Sequence, residues 1–301
     1  MKDQVSKTCE VNIPNMKFIS LAAPILFCAA AVQADECEDF DDAAFWKTAG
    51  ATLVAGCLFE TPALADTTFE DGRQALHIAA EHAVDPAVIA ALAVAGADLD
   101  ARVGPDECDF GSFCADTAVH IAARRTDGLP ILLVLLASGA DADLYGKNGA
   151  TAIHSAAAHG TGVGHHGIDA LAASGAAADR LDNDGWMALH EALRTERPDL
   201  DVIESLLRAG AGAGDKNEDE APAIAIAARM NTAPEALFLL AEDYKTRRFP
   251  NGSLCSTDDD GRTFVENLGD NTRLREHPRV ERIYQQTLAL CGRSDAEETG
   301  K

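Results

Sequence analysis

Residues 148–157 read Asn148-Gly149-Ala150-Thr151-Ala152-Ile153-His154-Ser155-Ala156-Ala157. The same frame returns as Asp71-Gly72-Arg73-Gln74-Ala75-Leu76-His77-Ile78-Ala79-Ala80, as Asp116-Thr117-Ala118-Val119-His120-Ile121-Ala122-Ala123, and as Asp184-Gly185-Trp186-Met187-Ala188-Leu189-His190-Glu191-Ala192-Leu193. The histidines step by 43, 34 and 36 residues. After each comes a second apolar run and then a Gly-Ala pair: Gly96-Ala97, Gly139-Ala140, Gly175-Ala176 and Gly210-Ala211, at offsets of 19, 19, 21 and 20 from the histidine. A period in this range marks units that cannot bury their own apolar face and must stack.

This pattern resembles the ankyrin repeat, whose core frame is D-x-x-G-x-T-P-L-H-x-A-A, followed by an apolar helix and then G-A-D. The resemblance implies an all-α ankyrin-repeat solenoid of about six to seven helix-turn-helix repeats. A degenerate copy follows at Pro222-Ala223-Ile224-Ala225-Ile226-Ala227-Ala228, with Ala225 in place of the histidine, and a last one begins at Asp260-Gly261-Arg262-Thr263-Phe264-Val265. Upstream, Phe45-Trp46-Lys47-Thr48-Ala49 and Leu53-Val54-Ala55-Gly56-Cys57-Leu58 read as an atypical first repeat. Capping repeats depart from consensus because one face meets water. Thr117 and Thr151, three residues before their histidines, are placed to cap a helix. Ala75, Ala118, Ala152 and Ala188 stand where the frame has proline, which removes a preset φ angle and is expected to soften each turn. The glycines of the Gly-Ala pairs supply the left-handed residue that ends the second helix.

Residues 16–34 have the form of a signal peptide: Lys17, an apolar run from Phe18 to Val32, and Val32-Gln33-Ala34 before Asp35. Residues 1–15 are polar and mixed in charge, and read as an upstream start that is not native. The ankyrin-repeat domain is then 35–291, with an insertion at 103–115 that accounts for the step of 43, and residues 292–301 form an acidic tail expected to be disordered. No later stretch is apolar enough to span a bilayer. The leader places the mature chain in the periplasm or outside the cell, and no stable membrane insertion of it is expected.

Export changes the reading of the cysteines, because an oxidising compartment permits disulfides. Six remain after the leader, and six allow 15 pairings. Local order selects Cys37–Cys57, Cys108–Cys114 and Cys255–Cys291. No CxxC spacing points to zinc.

Of the 301 residues, 25 are Lys or Arg and 49 Asp or Glu, for a formal net charge of −24. A nucleic-acid partner is excluded on that field, since phosphates would be repelled. No nucleophile–base constellation, HExxH or P-loop is present, and Gly162-Val163-Gly164-His165-His166-Gly167 matches GxGxxG in letters but follows no strand. The chain is therefore expected to be non-catalytic, with no cofactor and no metal. The repeated histidines read as scaffold. His159, His165 and His166 lie near a glycine-rich loop that could hold a divalent metal, which keeps a metal-dependent enzyme as the weakest reading. The runs Glu218-Asp219-Glu220 and Asp258-Asp259-Asp260 lack the alternating pattern of a calcium loop and read as solvated turns.

The resemblance implies a protein partner bound through a concave groove and finger tips. In ankyrin arrays the residue after Ala-Ala usually lines that groove. Here the position holds Glu81, Arg124, Ala158, Arg194 and Arg229, with Arg125 and Arg197 nearby. Such a row would recognise carboxylates through paired N–H donors. In the competing reading each arginine pairs with an acid of its own surface, which contributes little. Trp186, beside Gly185 in a finger, reads either as an interface anchor or as packing against the next finger. The expected function is a non-catalytic interaction scaffold, the alternative a secreted effector or neutralising module.

Overall fold

The computed structural model describes residues 37, 39–104, 115–157, 162–230, 233–247, 254–255, 257 and 260–298, with side chains as far as residue 291. The helices pair in chain order. α1 (Ala43–Thr48) and α2 (Ala51–Glu60) form the first pair. Then come α3 (Ala75–His82) with α4 (Ala87–Val94), α5 (Ala118–Arg124) with α6 (Leu129–Ala137), α7 (Ala152–Ala157) with α8 (Gly164–Ala173), α9 (Ala188–Leu193) with α10 (Leu200–Ala209), and α11 (Ala223–Met230) with α12 (Pro234–Thr246). The last repeat has α13 (Phe264–Asp270), a short α14 (Thr272–Arg275) and a long α15 (Pro278–Glu298). The described residues thus form the expected all-α solenoid. α15 continues to Glu298, so the segment 292–301, expected as a disordered tail, is helical for most of its length.

The inner helices α3, α5, α7, α9, α11 and α13 stack in one row, and the outer helices α2, α4, α6, α8, α10 and α12 in a second. Alanine makes the inner row possible: Ala79, Ala80, Ala122, Ala123, Ala227 and Ala228 are fully or almost fully buried between neighbouring backbones. Leu92, Leu132, Leu135, Leu171 and Leu206 of the outer helices fill the space between the rows. Burial of each such leucine contributes about 2 kcal/mol.

Between repeats the chain runs out into a finger, closed at its base by an isolated antiparallel bridge: Thr68 with Gln74, Tyr145 with Thr151, Leu181 with Met187, and Lys216 with Pro222. Backbone hydrogen bonds link finger to finger, from Gly104 N to Gly72 O (2.9 Å), Asn183 N to Asn148 O (2.8 Å) and Glu218 N to Gly185 O (3.0 Å). A second link runs through the Gly-Ala loops. The carboxylates of Asp66, Asp100 and Asp143 accept from the backbone N–H of Asp98 (3.1 Å), Asp141 (2.8 Å) and Ala177 (2.9 Å) in the following repeat. Gly96 and Gly139 adopt φ of 97° and 101°, the left-handed conformation that ends the second helix.

The insertion leaves and rejoins its finger through Val103 N to Asp116 O (3.0 Å) and Ala115 N to Val103 O (2.9 Å). Cys108 and Cys114 lie outside the described residues. Two of the three expected disulfides are formed, Cys37–Cys57 and Cys255–Cys291. They cross-link the two ends of the array. At the N-terminal end Trp46 is buried edge-on against Phe40 and Phe45, with its indole N–H on the Phe40 carbonyl (2.9 Å). Among the described residues no helix is long and apolar enough to cross a membrane.

Candidate functional site

Side chains at the bases of the fingers meet side chains of the inner helices at a recurring spacing. In four repeats the residue before the capping position of the finger meets the residue eight positions later, at the end of the inner helix. Arg73 Nη1 donates to Glu81 Oε2 at 2.7 Å. Arg124 binds the buried carboxylate of Asp116, and Arg262 binds Asp270. The guanidinium of Arg194 lies 4.9 Å from the ring centroid of Trp186, a cation–π contact. In the repeat of α11 the finger residue is Ala221, so Arg229 reaches onward to Asp260 of the next finger at 3.1 Å. The repeat of α7 carries alanines, Ala150 and Ala158, at the two positions, the latter outside the described residues. These pairs form cross-rungs between finger and inner helix, and their polarity reverses between Arg73–Glu81 and Asp116–Arg124.

The expected arginines therefore do not stand as a uniform free row. Arg124 and Arg229 are held by acids of the protein itself. Arg194 bonds Glu191 at 2.9 Å while stacking on Trp186. Arg125 turns away from the row: its Nη1 donates to the carbonyls of Ala80 (2.9 Å) and Ala83 (3.2 Å), and its other nitrogens hold Asp127. It thereby clamps the end of α3 to the following repeat. Arg197 is exposed on the loop after α9. Trp186 is half-buried, edge-on to His190 at 6.0 Å.

Three of the repeated histidines, His77, His154 and His190, join neighbouring fingers. In His77 and His154, Nδ1 accepts the backbone N–H of the capping residue (3.0 and 3.1 Å), and Nε2 donates to a carbonyl of the next finger, Ala101 (2.8 Å) or Trp186 (3.1 Å). His190 Nε2 reaches Ala221 O at 3.2 Å. The hydroxyls of Thr117 and Thr151 donate to Nδ1 of His120 and His154, both at 2.9 Å, so threonine fixes the ring as well as the turn. This clasp holds the turn in shape without the proline. Burial lowers the pKa of His77, His120 and His154, and takes that of His190 down to about 4. The rings are neutral at pH 7.

Of the loop histidines, His165 and His166 stack at 3.9 Å, and His159 lies outside the described residues. Among the described residues no three His, Cys, Asp or Glu side chains converge as a metal site would require. In the acidic runs, Glu220 binds Lys216 at 2.7 Å and Asp260 binds Arg229. Asp258 and Asp259 lie outside the described residues.

Residues 119–217 match the family model of ankyrin repeats in three copies. Among solved structures, the ankyrin repeat domain of Bcl-3, described as a unique member of the IkappaB protein family, is similar with a TM-score of 0.57 at 19% identity, over 77% of this chain and 92% of that one. Comparison with curated protein sequences returns no match. At such identity the likeness carries the architecture and not the ligand. The repeat frame, the stacked helix pairs and this similarity together make the fold an ankyrin-repeat solenoid.

Proposed function

We propose that the protein is a non-catalytic scaffold that holds a partner protein in its concave groove, and that it works in the periplasm or outside the cell. Ankyrin repeats imply a protein-interaction scaffold at the coarse level. The observation that carries the finer reading is the rung of Trp186 and Arg194. An aromatic ring and a guanidinium stacked at half-exposed positions in the groove have the composition of an interface anchor. Arg124 and Arg229 extend that surface on either side, with Arg125 and Arg197 beside them in the chain. Their ion pairs pre-orient each guanidinium, and an arginine has five N–H donors to share. Export is supported by the two disulfides, which form and persist in oxidising compartments.

The test starts with affinity capture from a periplasmic extract and identification of the bound protein by mass spectrometry. Its affinity is then measured for Arg124→Ala, Arg194→Ala and Trp186→Ala. Each is expected to lose about 1–3 kcal/mol of binding while its helical signal is unchanged. Three variants that bind like the parent would sink the groove reading.

A further inference from the structure

Against a net charge of −24, one short segment is basic. Residues 273–282 hold four arginines, Arg273, Arg275, Arg279 and Arg282, against Glu276 and Glu281. Arg275 is engaged, donating to Glu281 at 3.1 Å and lying 4.2 Å over the ring of Tyr284. Arg279 and Arg282 are one helical turn apart on α15, so they share a face, and they line a cleft against α12. The guanidinium of Arg279 sits 4.1 Å over the ring of Phe238. Among the described residues neither arginine has an acidic partner. Together with Lys245 they surround a cavity of about 180 Å³ walled by Phe238 and Ile283. The one carboxylate on its rim, Glu242, is bound by Lys245 at 3.1 Å. Three cations thus face a single, already paired acid.

We infer that this cleft between α12 and α15 docks an acidic segment of a partner polypeptide, at a site separate from the concave groove. A guanidinium stacked on an aromatic ring keeps its in-plane N–H donors free for a carboxylate. Arg282, one turn on, supplies a second fork. Phe238 and Ile283 receive an apolar neighbour of the acidic residue, a role that a bare inorganic anion leaves unused. The field of the whole chain opposes an acidic visitor at a distance, but at physiological salt it is screened beyond roughly 8 Å. Inside the cleft the unpaired cations dominate.

The probe is an end-blocked fluorescent peptide of alternating glutamate and leucine, titrated against the whole mature chain by anisotropy at 0.15 M salt. Saturable binding is expected, at least tenfold weaker in the double variant Arg279→Gln/Arg282→Gln and largely retained in Arg282→Lys. Both substitutions are at exposed positions, and an unchanged melting temperature confirms that the fold is kept. The groove variant Arg194→Ala should bind the peptide like the parent. Absence of binding, equal binding of a lysine–leucine peptide, or full affinity in the double variant would each overturn the inference. So would loss on Arg194→Ala alone, which would place the peptide in the groove.

Discussion

At the scale of single residues, His154 performs two tasks at once. Nδ1 accepts from the turn that begins its own helix, and Nε2 donates to the carbonyl of Trp186 in the next finger. Alanine at 154 leaves the buried N–H of Thr151 and the finger carbonyl without those bonds. His154→Ala is expected to cost about 1–3 kcal/mol, measured by chemical denaturation, and a loss under 0.5 kcal/mol would refute the bridging role. The histidine could be read from the sequence because it recurs with the repeat. The cross-rungs could not. Their members are the variable positions of the frame, and they sit eight residues apart across a turn, outside any helical or strand period. One trace of them was visible: Arg73 and Glu81 exchange charge sign with Asp116 and Arg124. Asp100 and Asp143 were equally silent, because a carboxylate that accepts from the next repeat requires the spacing of the stack to be known.

Among the elements, the two end caps differ from the rest in being covalently fastened. Cys37 is tied to α2 through Cys57, and α15 is tied through Cys291 to Cys255. The sequence separations are 20 and 36 residues, and closing loops of that size contributes about 3 kcal/mol each through the unfolded chain. Cys255→Ser/Cys291→Ser is expected to lower the melting temperature by several degrees and to make α15 the first helix to exchange its amide protons. An unchanged melting curve would mean that the staple contributes nothing. Order along the chain was enough to pair these cysteines. The effect of replacing proline by alanine was harder to read, since in two of the four turns Thr117 and Thr151 bond their histidines, a contact the frame alone does not announce.

For the molecule as a whole, the buried imidazoles set a pH limit. Each of the four has a folded pKa below the usual 6.5, because burial penalises the charged ring. The unfolded chain therefore binds protons first, and stability is complete above about pH 6.5 and falls as the pH drops. For His190 the loss continues to its folded value of about 4 and amounts to about 3 kcal/mol. Acidification also discharges the carboxylates and relieves self-repulsion, which acts in the opposite direction, so melts belong in about 0.5 M salt, where that repulsion is screened. The melting temperature should begin to fall between pH 6.5 and 6, above the range where most carboxylates titrate. A flat profile from pH 7.5 to 5 would show that the rings are not the determinant. The last finger-crossing imidazole is that of His190, since Ala225 stands at the same position of the next repeat. A stack in which each unit meets only its neighbours behaves as a one-dimensional lattice and frays inward from its free ends. Here both ends are pinned by sulfur, so the boundary from which disorder would spread moves inside, to joints that no imidazole crosses, such as that between the repeats of α11 and α13. The array then behaves less like a zipper with two loose tabs than like a rod whose points of yield lie within its length.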